Sequence, residues 1–186
     1  TCFEKAWKRS KRHSPISFRS AIVFGSNDGF TTGLAQIMSA LPIFLIPGDG
    51  NVQLQPLWIE DLVTCLIWSM DDPDTYNRTF DIGGPEYLSF RQIANLVANE
   101  IGIHRAMINF PFPYLRSLTV LLEYFYPNIP VSVYWLDYMA VNRTTALDTL
   151  PRVFNLMPSR MATHMAYLRD RRWRAALGKT LKEKRE

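Results

Sequence analysis

Residues 16–30 read ISFRSAIVFGSNDGF, and this stretch decides the fold class that the sequence predicts. Its first part is mostly apolar and rich in β-forming residues, and Gly25 ends the run. The four residues after Gly25 all favour turns. A predominantly apolar strand is typical of a parallel sheet that is covered on both faces. Because ligands of such sheets bind beyond the carboxyl ends of the strands, we expect residues 23–30 to lie beside a ligand.

The composition predicts a folded globular chain. Of its 186 residues 47% are apolar, which suffices for the core of one domain, or for half a domain and an appendage. Cys2 and Cys65 have no metal-like spacing, so we expect packed thiols in a reducing compartment. The histidines are scattered, and no metal site is predicted. The longest nearly uncharged run, residues 117–122, is far too short to span a bilayer.

Hydrophobic periodicity and turn residues predict alternating strands and helices. The predicted strands are residues 16–24, 53–59, 76–82 and 107–110. The predicted helices are residues 2–12, 30–41, 61–70, 90–101, 113–126, 131–141, 147–154 and 158–181. Ser89 is predicted to cap one helix, and Asp61 to cap another with about 1 kcal/mol of stabilisation. An arginine inside an apolar strand needs a partner if it is buried, and Asp28 or Glu60 is expected to pair with Arg19.

Positive charge is concentrated at the C-terminus. From Arg169 onward the chain has eight cationic and three acidic side chains. The excess of positive charge in this segment is larger than the formal net charge of +4 for the whole chain. Arginine and tryptophan beside an apolar face are typical of a helix that lies on an anionic membrane, so residues 159–186 are predicted to contact such a surface. The alternative is a helix packed on its own domain with a solvated basic face. These residues form no known type of nucleic-acid platform, so nucleic acid is not an expected partner.

Residues 115–125 form a second apolar segment, with several aromatic residues close by in the sequence. Aromatic side chains are enriched at interfaces, so this segment is a candidate contact surface. Core packing explains its composition as well.

The chain is expected in the cytoplasm or at the periphery of a membrane, on a reducing side.

Three segments carry a family resemblance. They are FRSAIVFGSNDGF at residues 18–30, QPLWIED at residues 55–61, and FDIGGPEYLS at residues 80–89. In order and spacing they resemble the arginine-to-glycine strand, the strand-to-helix segment and the Gly-Gly-Pro-Glu turn of extended and atypical short-chain dehydrogenase/reductases, the NAD-dependent epimerase/dehydratase group. The atypical branch with the 39 kDa-type accessory subunit of respiratory complex I looks most similar, and the resemblance covers about residues 1–102.

The resemblance implies an α/β fold, the C-terminal part of a Rossmann-type parallel sheet with a small helical substrate-side lobe and a basic C-terminal helix. Residues 1–110 are expected to form the second half of the dinucleotide-binding domain with elements of the substrate lobe. Residues 111–157 are expected to form the helical lobe, and residues 158–186 a basic amphipathic helix.

The resemblance also implies NAD or NADP as cofactor, and hydride transfer to or from a carbonyl or hydroxyl carbon. The backbone groups expected to contact the nicotinamide are those of Ser20, Ala21, Ile22 and Val23. The chain has neither a G-x-G-x-x-G loop nor a Tyr-x-x-x-Lys pair before residue 16, so the pair is expected upstream of Thr1 and this chain alone is expected to be inactive. The alternative is a non-catalytic accessory or assembly protein that holds the nucleotide within a membrane complex.

Six side chains are predicted to line a substrate pocket: Phe24, Asn27, Asp28, Phe30, Gln55 and Trp58. The first four follow the strand at residues 16–24, and the other two belong to a neighbouring strand. Asn27 and Asp28 suit a plain turn equally well. Gln55 stands near the position where sugar-nucleotide enzymes of the family use an arginine, which argues against a nucleotide-sugar substrate.

Overall fold

A computed structural model of the chain describes residues 16–125, 132–169 and 172–182. The predicted helix at residues 2–12 lies outside these ranges, as does Cys2. The strands are β1 (Ser17–Ser20), β2 (Val23–Phe24), β3 (Ile43–Pro47), β4 (Gln53–Leu54), β5 (Leu57–Trp58), β6 (Thr79–Ile82), β7 (Leu88–Ser89) and β8 (Ala106–Phe110). The helices are α1 (Thr31–Ala40), α2 (Ile59–Asp71), α3 (Phe90–Glu100), α4 (Phe112–Phe125), α5 (Val133–Tyr138), α6 (Thr149–Phe154) and α7 (Trp173–Lys182).

Parallel pairing dominates the sheet, as predicted. β1 pairs with β6, β2 with β5 and β3 with β8, all in parallel, while β4 and β7 are antiparallel. Helices follow β2, β5 and β7, which gives the alternation of an α/β fold. The predicted fold class is confirmed.

The strand at residues 16–24 is covered less than its apolar sequence predicts. It divides into β1 and β2, and within the described residues β1 pairs on one side only, with β6. Ser17, Arg19 and Ser20 are exposed. Arg19 is therefore not buried, and its guanidinium needs no ion pair with Asp28 or Glu60 because it stays in water.

Two hydrophobic clusters form the core. The larger one joins α1, β3 and α3 to the segment before α7, and includes Phe24, Phe30, Met38, Ile46, Ile93, Met161, Met165, Leu168 and Trp173. The smaller one joins β5, α2, β6 and α6, and includes Leu57, Cys65, Phe80, Ile82, Leu150 and Phe154.

The single helix predicted from Pro158 is wrong. Met161–Thr163 and Ala166–Leu168 are separate 3-10 turns, and α7 begins only at Trp173. Met161, Met165 and Leu168 are at most 2% exposed, because they fill the larger cluster. A spacing of three or four residues suits successive turns as well as a helix, so the apolar pattern did not distinguish them.

Asp61 does not cap α2 as predicted. The helix begins two residues earlier, at Ile59, and its N-cap position is Trp58 without a side-chain cap. The Asp61 carboxylate instead accepts hydrogen bonds from the Ser159 backbone N–H at 2.7 Å and from the Ser159 hydroxyl at 3.4 Å. Ser89 does cap α3, with a complete capping box that includes Gln92.

Among the helices of the described ranges, none is both long enough and apolar enough to traverse a bilayer.

Candidate functional site

The loop after β2 is organised by the side chain of Asp28. Its carboxylate accepts hydrogen bonds from the backbone N–H of Gly25 at 3.2 Å and of Thr32 at 2.9 Å, and from the Thr31 hydroxyl at 2.8 Å. Asn27 has a φ of 66°, a left-handed conformation that asparagine tolerates better than most residues. The loop thus turns the chain from β2 into α1 and satisfies backbone donors at the start of that helix.

The Asp28 carboxylate is half-buried, and its environment acts on its pKa in both directions. Burial raises the pKa above its ordinary value, against the hydrogen bonds from Thr32, Thr31 and Gly25, which lower it. The Thr31 hydroxyl also lies 2.7 Å from the Tyr167 hydroxyl. This contact ties the loop to the segment before α7.

Aromatic rings surround the carboxyl ends of β2 and β5. Phe24 and Trp58 stand opposite each other in the parallel pair, with ring centroids 5.2 Å apart. The Trp58 ring also packs against His164 at 5.0 Å and Tyr167 at 6.1 Å. Trp58, His164 and Tyr167 are each half-buried, and we call this group the aromatic patch. It offers flat faces for stacking beside a phenol and an imidazole that form hydrogen bonds.

Gln55 joins β5 to two distant segments from a fully buried position. Its amide nitrogen donates to the Gly84 carbonyl at 2.7 Å, and its amide oxygen accepts from the Thr145 backbone N–H at 2.6 Å. The Thr145 hydroxyl donates to the same oxygen at 3.0 Å. Every polar atom of the Gln55 side chain is thus used inside the chain.

The Gly-Gly-Pro-Glu turn needs its glycines because of close approach. A Cβ at Gly84 would lie 1.7 Å from the Pro56 carbonyl oxygen, and one at Gly83 would lie 2.4 Å from the Gln55 amide carbon. Glu86 follows, and its carboxylate accepts a hydrogen bond from the Met161 backbone N–H at 3.2 Å. The turn therefore packs directly on β5 and on the segment before α7.

The predicted cofactor residues lie at the border between β1 and β2. The Ala21 N–H donates to the Ile82 carbonyl at 2.8 Å, and the Ile22 carbonyl accepts from the Leu57 N–H at 2.8 Å. Because alternate residues of a strand direct their backbone groups to opposite sides, those of Ser20 face the edge of β1 away from β6. Val23 begins β2. Contact of these four residues with a cofactor stays a prediction.

The six predicted pocket residues differ in exposure. Phe24, Phe30 and Gln55 are at most 5% exposed, and Phe30 stacks on Trp135 with centroids 5.5 Å apart. Asn27 is exposed, while Asp28 and Trp58 are half-buried. Contact with a substrate stays a prediction for all six, with Asn27, Asp28 and Trp58 the more accessible ones.

Sequence reasoning missed the residues that reach the site from far along the chain. Tyr167 lies 136 positions after Thr31, and Thr145 lies 90 positions after Gln55. Nothing in the local pattern marks these partners. The polar Gln55 within the strand predicted at residues 53–59 is the one local signal of a need for a distant partner.

The α/β fold of the described residues is shared with solved structures of epimerases. No protein-family model matches the chain. The chain is similar to the mitochondrial NADH dehydrogenase (ubiquinone) 1 alpha subcomplex subunit 9 of Arabidopsis thaliana, with 18% identity over 132 residues. That match covers 70% of this chain and 33% of the Arabidopsis protein.

Three solved structures share the fold. An epimerase from Methanothermobacter thermautotrophicus has a TM-score of 0.61 and 12% identity, over 98% of this chain and 49% of its own. RMD from Pseudomonas aeruginosa, complexed with NADPH, has a TM-score of 0.59 and 10% identity, and the match covers 92% of this chain and 51% of RMD. UDP-glucuronic acid 4-epimerase from Bacillus cereus, in complex with UDP-glucuronic acid and NAD, has a TM-score of 0.54 and 14% identity, and the match covers 96% of this chain and 48% of the epimerase. The resemblance predicted from the sequence is confirmed, and the chain spans about a third to a half of these proteins.

Proposed function

We propose that this chain is the substrate-side part of an NAD(P)-dependent short-chain dehydrogenase/reductase of the epimerase type. The observation that carries the proposal is the meeting of the carboxyl ends of β2 and β5, where Phe24 pairs with Trp58 beside the Asp28 loop. In open parallel sheets this edge is where ligands bind. The likeness to solved structures that contain NAD or NADPH supports the nicotinamide dinucleotide as cofactor.

The residues of this chain would bind and orient the cofactor and the substrate rather than transfer protons. The outward-facing backbone groups of Ser20 can hydrogen-bond a planar amide, and the aromatic patch can close one side of a substrate site. When bound, a nicotinamide accepts or supplies the hydride. The Asp28 loop would set the distance between β2 and α1 through its three hydrogen-bonded partners.

Calorimetry with NAD and NADPH tests this proposal. We expect no measurable binding to the 186-residue chain, and binding to a longer native protein that contains it. Within that protein, Trp58→Ala is expected to raise KM for the substrate about tenfold or more through lost stacking, with unchanged dinucleotide affinity. Absence of dinucleotide binding in the longer protein would contradict the proposal.

A second candidate, an accessory protein of a membrane complex, is favoured by one surface. Tyr124 is 80% exposed and Phe125 64%, both at the end of α4, and Tyr134 of α5 is 72% exposed. Apolar side chains exposed together in this way are typical of an interaction site. The similarity to a subunit named as part of a mitochondrial NADH dehydrogenase points in the same direction.

The membrane contact predicted for residues 159–186 would then use α4 for its apolar part. Met161, Met165 and Trp173 are buried in the core and cannot insert into a bilayer, whereas Arg172 and Lys179 are exposed and can attract an anionic surface. In this role the protein would lie at the periphery of a membrane.

Sedimentation with anionic phospholipid vesicles tests the second candidate. The double variant Arg172→Glu/Lys179→Glu is expected to abolish co-sedimentation at physiological salt, and Arg78→Glu, at an exposed arginine outside residues 159–186, to leave it unchanged. A native nucleotide held without turnover on carbonyl substrates would favour the accessory role, and dinucleotide-dependent turnover would favour the enzyme.

A further inference from the structure

An apolar cavity of about 230 Å³ lies between α1, β3, α3, α4, α5 and α7. Each of these elements contributes aliphatic or aromatic side chains to its wall, among them Leu34, Phe44, Phe90, Leu122, Leu136 and Leu177. None of the six predicted substrate-pocket residues lines the cavity. It is therefore separate from the edge of the sheet where the dinucleotide chemistry is proposed.

The cavity is closed toward the core and open on one side. Leu34, Phe44 and Phe90 are at most 7% exposed and belong to the larger hydrophobic cluster. Leu41, directly after α1, and Leu118 of α4 also line the cavity, and they are 48% and 40% exposed. A small molecule can therefore enter between the end of α1 and α4 while the core stays packed.

Thr119 contributes the one hydroxyl among the lining side chains, and the residue is only 3% exposed. A hydroxyl on a helix commonly donates to the carbonyl four residues before it, as that of Ser117 does to Pro113 at 3.0 Å. Within the described ranges the Thr119 hydroxyl makes no such side-chain hydrogen bond. Every fully enclosed side-chain oxygen in those ranges has a partner, so the Thr119 oxygen is reached from the cavity.

The size and lining of the cavity favour a largely apolar ligand over water. A cavity of about 150 Å³ lined by aliphatic and aromatic side chains stays dry and binds benzene. In proportion, this cavity accommodates about nine non-hydrogen atoms. A buried water molecule typically makes about three hydrogen bonds, and the lining side chains offer one hydroxyl.

We propose that this cavity binds one neutral, compact hydrocarbon molecule that carries a single oxygen, such as a ketone or an alcohol. The Thr119 hydroxyl would donate a hydrogen bond to that oxygen, and the apolar walls would hold the rest of the molecule. Binding gives the hydroxyl a partner and removes the hydrocarbon part from water. An anionic ligand is disfavoured, because no lining side chain is charged.

Titration calorimetry of the full 186-residue chain with acetophenone, cumene and benzoate tests the proposal. Cumene has a methyl group where acetophenone has its carbonyl oxygen, and benzoate is a charged molecule of the same size. We expect saturable binding of one acetophenone and one cumene, and no measurable binding of benzoate. Uptake that does not saturate, or benzoate affinity equal to that of acetophenone, would overturn the proposal.

Variants of Thr119 test the hydrogen bond separately from the apolar contacts. Thr119→Val keeps the shape and removes the hydroxyl, so the affinity for acetophenone relative to cumene is expected to fall about fivefold. Thr119→Ser keeps the hydroxyl and should keep that ratio. Thr64→Val, on α2 and outside the cavity, is the matched control and should change neither affinity. An unchanged ratio in Thr119→Val would contradict the proposed role of the hydroxyl.

Filling the cavity tests its location. Ala40→Leu adds volume at a lining position, so both affinities are expected to fall at least about tenfold. Ile37→Phe, at another lining position, serves the same purpose if the first variant unfolds, and circular dichroism verifies the fold of each. Unchanged acetophenone affinity in a folded cavity-filling variant would place the ligand elsewhere and refute the site.

Discussion

The side-chain oxygen of Gln55 accepts two hydrogen bonds from Thr145, one from the backbone N–H at 2.6 Å and one from the hydroxyl at 3.0 Å. The same side chain donates to Gly84. One buried amide therefore holds β5, the Gly-Gly-Pro turn and the segment before α6 together. This role is structural and independent of any substrate contact.

Replacement of Gln55 by leucine is expected to lower the free energy of unfolding by about 2–3 kcal/mol. The buried Gly84 carbonyl and the Thr145 N–H would both lose their partners, and such unsatisfied groups are costly. Urea unfolding followed by tryptophan fluorescence measures the effect. Asn95→Leu, at an exposed amide on α3, is the control, and a loss of comparable size there would argue against a specific network.

Gly84→Ala is expected to destabilise the fold by about 3 kcal/mol or more, because the new methyl group would overlap the Pro56 carbonyl oxygen. Gly29→Ala is the matched change, since a Cβ there meets nothing within 4 Å. Thermal unfolding of both variants by circular dichroism provides the comparison. Equal melting temperatures would mean that the turn does not pack on β5 as described.

Asp28→Asn and Asp49→Asn are expected to change the pH dependence of stability in opposite directions. Burial raises the pKa of Asp28, so its contribution is present below the ordinary pKa of 3.8 and is lost as the pH rises through the folded-state value. Hydrogen bonds from Asn51 lower the pKa of Asp49, so its contribution is present above 3.8 and is lost as the pH falls through the folded-state value.

Urea unfolding between about pH 3 and pH 6 measures these contributions as the difference between the native sequence and each variant. The difference for Asp28→Asn should decrease with rising pH, and that for Asp49→Asn should increase. Slopes of the same sign would refute the environment assigned to the Asp28 loop.

Cys65 is expected to resist thiol reagents until the chain unfolds. It is fully buried, and burial, together with the nearby charge of Asp61, raises the pKa of its thiol to about 11. At pH 8 the thiolate fraction is therefore minute. Maleimide labelling followed by mass spectrometry, in a Cys2→Ser background, should give no adduct in buffer and rapid labelling in urea. Fast labelling in buffer would disprove the packing of the smaller core cluster.

Local pattern predicted much of the architecture. A strand ends directly before Gly25, Ser89 caps α3, and Gly83 and Gly84 are required by the close approach of the backbone, all as predicted. Each depends on residues close together in the chain, whose conformational preferences act before any tertiary contact forms.

The predictions that failed concern residues whose partners are distant. The sequence predicts that Asp61 caps a helix, but its carboxylate accepts hydrogen bonds from Ser159, 98 positions away. The apolar pattern predicts one long amphipathic helix through Met161 and Met165, but both side chains are buried in the core beside two separate 3-10 turns. In both cases a local pattern was compatible with two structures, and a long-range contact selected one of them.

The sequence by itself determined an α/β chain with parallel strands, a loop rich in turn residues after the first strand, and the order of its helices, because these follow from side-chain periodicity and backbone preference. Tertiary structure alone decided that Gln55 is buried and that Tyr167 reaches Thr31. Packing brings together side chains that are separated by up to 136 positions, and no local preference encodes such a pair.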